Sequence, residues 1–167
     1  GRIFSYFPNI PDNAFVIQAS IWNNSVTFNV SHGTGGANPP NADVWSSEAL
    51  LANEWVSVSF LYENQQLELT INGEVVDTST YEGPIAESSI NSQLFFGMLA
   101  QEPNERFSGY LDEFSISSLD SGEATLIGYW NFDEGEGSIV YDQTELGNDG
   151  TIYNATWSTD VPILGCL

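Results

Sequence analysis

Apolar and polar residues alternate along most of this chain, and the alternating runs are separated by clusters rich in Asn, Gly and Pro. A period of two marks a strand with one face on a core and the other on solvent. Residues 3–7 (Ile-Phe-Ser-Tyr-Phe) predict a short strand followed by turn chemistry at Pro8 to Asn13, Ala14 to Ser20 predict a second strand, and Val26 to Val30 a third. Between the last two, Asn23-Asn24 tolerates positive φ and predicts a hairpin turn. His32 to Asp43 contains Gly33, Gly35, Gly36 and Pro39-Pro40 and reads as a surface loop. Trp45 to Glu54 offers at most one helical turn. Trp55 to Tyr62, Leu67 to Ile71 and Glu74 to Thr78, joined at Glu63–Gln66 and at Asn72-Gly73, predict a three-strand meander. Gln93 to Leu99 reads as a buried strand between loops at Tyr81–Ser92 and Ala100–Glu105. From Phe107 to Ile116 the alternation slips phase at Asp112-Glu113, because Leu111 and Phe114 stand three apart, so a local bulge or a turn of the strand is expected there. A polar stretch, Ser117 to Ala124, separates it from shorter strands at Thr125–Phe132, Ile139–Asp142 and Thr151–Tyr153. No helical period persists, and the predicted class is all-β with antiparallel sheets.

Composition narrows the partners. The chain has 167 residues, enough to bury one sizeable core. It carries 2 Lys plus Arg against 23 Asp plus Glu, a net charge of -21. That charge excludes a basic nucleic-acid footprint and opposes attraction to anionic membrane surfaces. It also offers many oxygen ligands to hard cations, so calcium is an expected cofactor. The single cysteine, Cys166, forms no disulfide framework within the chain. The acidic, Asn- and Ser-rich composition reads as a bacterial exported or surface protein. No apolar run approaches a membrane span. The abrupt start at Gly1-Arg2-Ile3-Phe4 suggests a piece of something longer, with neighbouring domains as partners.

Three stretches together resemble the laminin G-like (pentraxin-like) domain of the concanavalin A-like lectin and glucanase fold. They are Glu54 to Phe60 running through Leu69-Thr70-Ile71-Asn72-Gly73-Glu74; Phe107-Ser108-Gly109-Tyr110-Leu111-Asp112-Glu113-Phe114-Ser115-Ile116; and Gly128 to Gly137 with Tyr141-Asp142 and Gly147 to Thr151. The resemblance implies an antiparallel β-sandwich, a jelly roll. Its order is unusual, since the third stretch normally opens such a domain. Residues 1–119 therefore resemble the later part of one domain whose first strands are missing, and 126–162 the opening strands of a repeat. Either a further repeat begins there, or the stretch folds back onto the same sandwich; the apolar Tyr129, Trp130, Phe132, Ile139, Tyr141, Ile152 and Trp157 favour a single domain spanning 1–167.

The chemistry of the chain points to binding. If Phe107–Ile116 is a strand, the adjacent acids Asp112 and Glu113 point to opposite faces and cannot flank one glycosidic bond. No other nucleophile, phosphate loop or reactive cysteine pattern occurs, so no catalytic residue is assigned. The lone His32 reads as a loop hydrogen-bonder. The resemblance implies a calcium site at Asp112, with Asp142 and Asp149 as secondary ligands, although the family's other ligand, an aspartate in the missing strand, is absent; the alternative is that these carboxylates satisfy backbone donors in their turns. Trp22, Trp45 and Tyr81, near predicted loops, are candidate ligand platforms, or else core and edge residues. The expected function is a non-catalytic extracellular module for carbohydrate or a surface protein. A structural spacer and a glycan-processing enzyme are the competing readings.

Overall fold

The computed structural model describes residues 1–7, 14–33, 41–83, 93–97, 106–120 and 122–162. The turn expected at Pro8 to Asn13, most of the loop after Gly33, the loop from Pro84 to Ser92, Met98-Leu99, Ala100 to Glu105 and Cys166 lie outside them. The described residues contain strands and no helix, so none is long and apolar enough to cross a membrane. The fold is all-β and antiparallel, with the two-sheet layering of a concanavalin A-like sandwich in its first part. By its contacts the chain divides into two compact units, Gly1–Ser108 and one beginning at Gly109.

In the first unit a five-stranded sheet holds β1 (Arg2–Phe7), β2 (Ala14–Trp22), β3 (Ser25–Gly33), β4 (Asn41–Trp45) and, later in the chain, β8 (Gln93–Phe96), in the order β4-β3-β2-β1-β8. A three-stranded meander holds β5 (Val58–Glu63), β6 (Gln66–Ile71) and β7 (Glu74–Thr80). The hairpins turn where Asn was expected to turn them: Asn23, Asn24, Asn64, Gln65, Asn72 and Gly73 all have positive φ.

The core lies between these sheets. Val26, Phe28 and Val30 of β3, Ala19 of β2 and Ala42 and Val44 of β4 are buried on one face, and Leu67 and Leu69 of β6 are buried on the other. Phe28 stacks on Phe60 of β5 at 4.6 Å and 22°, and Phe4 meets both rings at an angle. Phe4 reaches inward because a register shift between Arg2 and Phe4 breaks the alternation of β1. The open edge of β4 is capped from the facing sheet, where Asp77 of β7 accepts the Trp45 N–H at 2.8 Å. An edge donor is thereby closed to foreign strands.

Two expectations need correcting here. The His32–Asp43 segment is not all loop, since β3 runs through Gly33, with His32 paired opposite Phe15, and Asn41–Trp45 form β4. Ala42 and Val44 alternate inward, but the Gly- and Pro-rich run before them hid the pattern. Ser46 to Glu54 forms bends and a turn, within the limit of at most one helical turn.

The second correction concerns Phe107–Ile116, which is not one strand. Arg106 bridges Arg2 and the Phe107 N–H reaches Gly97 O, while β9 (Phe114–Asp120) starts only at Phe114. Glu113 has φ 52° and its N–H is taken by the Asp112 carboxylate at 3.0 Å, so the ladder cannot extend through it. The polar Ser117–Ala124 stretch then carries most of a hairpin between β9 and β10 (Glu123–Trp130). Both faces of this two-stranded ribbon are largely exposed there, and a strand with two wet faces leaves no alternation to read. A two-residue pair, β11 (Ile139–Val140) with β12 (Gly150–Thr151), completes the second unit.

Because Phe28 joins both sheets, Phe28→Ala is expected to cost about 4 kcal/mol of folding stability. Chemical denaturation followed by far-UV circular dichroism checks this, and a loss below about 1 kcal/mol would place the core elsewhere.

Candidate binding face and acidic turns

Burial of Val26, Phe28 and Val30 leaves Ser25, Thr27, Asn29 and Ser31 on the outer face of β3. Register carries that face to the neighbours: Trp22 lies opposite Ser25, Ser20 and Trp45 opposite Thr27, and Gln18 and Asp43 opposite Asn29. The outer face is therefore a set of polar rows flanked by two indoles. Ser20 and Thr27 hydroxyls are 2.7 Å apart. Gln18 Nε2 donates to Asn29 Oδ1, and Asn29 Nδ2 donates to Asp43.

Trp22 and Trp45 are 67% and 50% exposed, and neither indole N–H has a hydrogen-bond partner among the described residues. The contrast with two of the chain's three other tryptophans is informative. Trp130 Nε1 donates to Asn148 O at 3.0 Å and Trp157 Nε1 to Gly137 O at 3.1 Å, as structural indoles do. The backbone beneath the exposed pair is fixed. Trp22 precedes the Asn23-Asn24 turn, Ser46 exchanges two hydrogen bonds with Val26, and Leu50 N–H reaches Asn24 O. Tyr81, the third expected platform, is 1% exposed and packs edge-on against Tyr62, so it offers no face to a ligand.

The three aspartates expected to hold calcium sit in the second unit in two different settings. Asp142 is 8% exposed and accepts four hydrogen bonds: Oδ1 from the N–H groups of Tyr129 and Thr144, Oδ2 from the Thr144 hydroxyl and the Asn148 N–H, all between 2.8 and 3.0 Å. Burial acts to raise its pKa, but the bonds from Thr144, Tyr129 and Asn148 outweigh it and hold the carboxyl well below the usual carboxylate range. Asp149 Oδ1 in turn accepts the Asp142 N–H, and Glu134 accepts that of Tyr141. Each carboxylate oxygen of Asp142 is already ringed by donors, which a cation would have to displace, so this donor set does not fit calcium.

Asp112 belongs to another cluster. Burial raises its pKa first, partly offset by the Glu113 N–H, and the charges of Glu113 and Asp133 raise it further. The Tyr129 hydroxyl donates to the Glu113 carboxylate, and that bond, then burial, then the Glu113, Asp133 and Asp112 charges push the phenol up to about 12. Among the described residues no three His, Cys, Asp or Glu side chains gather as a metal cage.

Sequence reasoning missed the Ser46 clasp, the Asp77 cap and the Tyr129–Glu113 bond. The first two join residues 20 and 32 positions apart, with no local signal. The Asp142-to-Thr144 turn, by contrast, follows the ordinary Asx pattern, with a side chain bonding its own backbone two residues on.

A sequence model of the Laminin_G_3 family, described as the Concanavalin A-like lectin/glucanases superfamily, matches residues 2–123. No curated protein and no solved structure matches the chain.

Two outcomes are expected of the acidic turns. Asp142→Asn replaces an acceptor with an amide that meets donors, and about 3 kcal/mol of local stability should be lost. Because the folded pKa is depressed, that stabilisation is fully present above the unfolded value and disappears as pH falls from about 4 toward the lower folded one. Hydrogen exchange at the Tyr129 and Asn148 amides reports both effects; unchanged protection in the variant would contradict the assignment. Separately, the Tyr129 ring should titrate near 12 by NMR and move back toward 10.0 in Glu113→Gln. An identical midpoint in both proteins would refute the bond.

Proposed function

This chain belongs to the Laminin_G_3 family of the concanavalin A-like lectin and glucanase superfamily, and on that premise we propose that it is a non-catalytic, extracellular binding module. Its ligand is a carbohydrate or a surface protein, and the ligand engages the outer face of the five-stranded sheet. The observation that carries this reading is the exposed pair Trp22 and Trp45, whose indole N–H groups meet no acceptor among the described residues, on one face above ordered polar rows. Large apolar rings held in water cost solvation, and a rigid aromatic with a free donor is the usual anchor of a recognition surface.

The superfamily also contains hydrolases, so catalysis is the competing use of the fold. Against it, Glu113 is bonded to the Tyr129 hydroxyl and Asp112 to the Glu113 N–H, which leaves neither carboxylate poised over an open face with a second acid. The reading needs no calcium, given the saturated oxygens of Asp142.

The test is binding to an array of glycans and surface proteins, with calcium and with chelator, alongside a turnover assay on soluble β-glucans. Expected are a ligand retained in chelator, at least tenfold weaker binding by Trp45→Ala, and no turnover. Absence of any ligand would favour a spacer, and turnover abolished by Glu113→Gln would establish an enzyme.

A further inference from the structure

We infer that the ligand of this face is an uncharged oligosaccharide, bound extended and obliquely across β2, β3 and β4 so that it covers both Trp22 and Trp45. This rests on the binding-module reading and names its ligand class and pose.

Register places the two indoles two strands apart and two residues apart along the strands, roughly 12 Å between their Cα positions. One sugar ring stacked on either indole leaves the other in water, whereas a short chain reaches both. The line between them crosses β3 at Ser25 and over Thr27, which is itself buried, and the half-buried flanking rows supply the Ser20 hydroxyl, the Gln18 and Asn29 amides and the Asp43 carboxylate. These groups both donate and accept at short range, which matches the ring of hydroxyls on a sugar and not the long apolar side chains of a protein hot spot. The face does not form the usual protein-interface core, since its middle is hydroxyl and amide and its aromatics stand at the margins.

Charge decides between sugar classes. The chain carries -21, and Asp43 and Asp77 lie beside the Trp45 end of the face, the latter on the Trp45 N–H. Arg2, opposite Ser20, donates from its guanidinium to the Ser20 hydroxyl, and Arg106 is bridged to Arg2, so both arginines of the chain lie on the β1 side of this sheet and neither lies on β3 or β4. A polyuronate or sulfated chain would meet a repulsive field over most of its length. A neutral chain meets none. The pre-set backbone under both indoles, through Ser46, Leu50 and the Asn23-Asn24 turn, removes ordering cost from the binding step.

The experiment is calorimetry with neutral gluco-, xylo- and manno-oligosaccharides of increasing length, with polygalacturonate oligomers as the charged arm and a surface-protein array as the protein arm. Trp22→Ala, Trp45→Ala and the double variant are compared, each checked for an unchanged melting curve. Expected is affinity for at least one neutral series that rises with length until both indoles are covered, falls about tenfold in either single variant, and loses its length dependence there. Tighter binding of the charged oligomers overturns the inference, as does affinity that is already maximal for a monosaccharide. If only a protein binds, and binding depends on the tryptophans, the ligand class is wrong and the module reading stands. If binding of every ligand is indifferent to both tryptophans, the reading itself fails.

Discussion

The stacking of Phe28 on Phe60 is the contact from which the first unit and its proposed binding face both follow. It commits the even-numbered residues of β3 to the space between the sheets. Side chains alternate without exception along a regular strand, so the odd-numbered residues, and everything in register with them on β2 and β4, must face outward. Trp22, Trp45, Gln18, Ser20 and Asp43 are outward-facing for that reason. A slip of one residue would bury the tryptophans and expose the phenylalanine, at a cost of several kcal/mol for the aromatic rings alone. Core packing thus sets the composition of a face it never touches.

The second unit is governed by a different kind of constraint. Its short strands bury few apolar groups, and its turns are gathered on Asp142, whose two oxygens collect donors from Tyr129, Thr144 and Asn148. Asn148 then accepts the Trp130 indole through its carbonyl and donates its amide to Ile127 O. One carboxylate so placed organises three turns. The acidity that suggests a cation in the composition is, at this position, a receptor for backbone N–H groups. Elsewhere it contributes to a net charge of -21, which opposes the approach of other anions.

The all-β class, most strand positions and the Asn-led hairpins were legible in the sequence because alternation and positive-φ turns are local signals. The meander from Val58 to Thr80 is the clearest instance, with Asn64 and Asn72 turning where their type predicts. Strand β4 was hidden because five residues after a Gly- and Pro-rich run carry too short a pattern, and β9–β10 because wet ribbons lack one. The acid pair Asp112-Glu113 marked a real break in the alternation, but spacing alone cannot separate a bulge from the end of a strand; the Asp112 bond to the next N–H is what decides it. Trp22 and Trp45 were legible as candidates and Tyr81 was equally so. Only the tertiary packing, in which Tyr81 is buried edge-on against Tyr62 of the same meander, distinguishes the third from the first two.

The central claim is that the face opposite Phe28 meets the ligand. Its most direct test is a titration of the indole N–H resonances with a neutral oligosaccharide, observed in a nitrogen-edited NMR spectrum. The account predicts that the Nε1–H signals of Trp22 and Trp45 move together with a common affinity while those of Trp130 and Trp157, already bonded to Asn148 and Gly137, stay in place. Shifts confined to Trp130 or Trp157, with Trp22 and Trp45 unmoved at saturation, would contradict it.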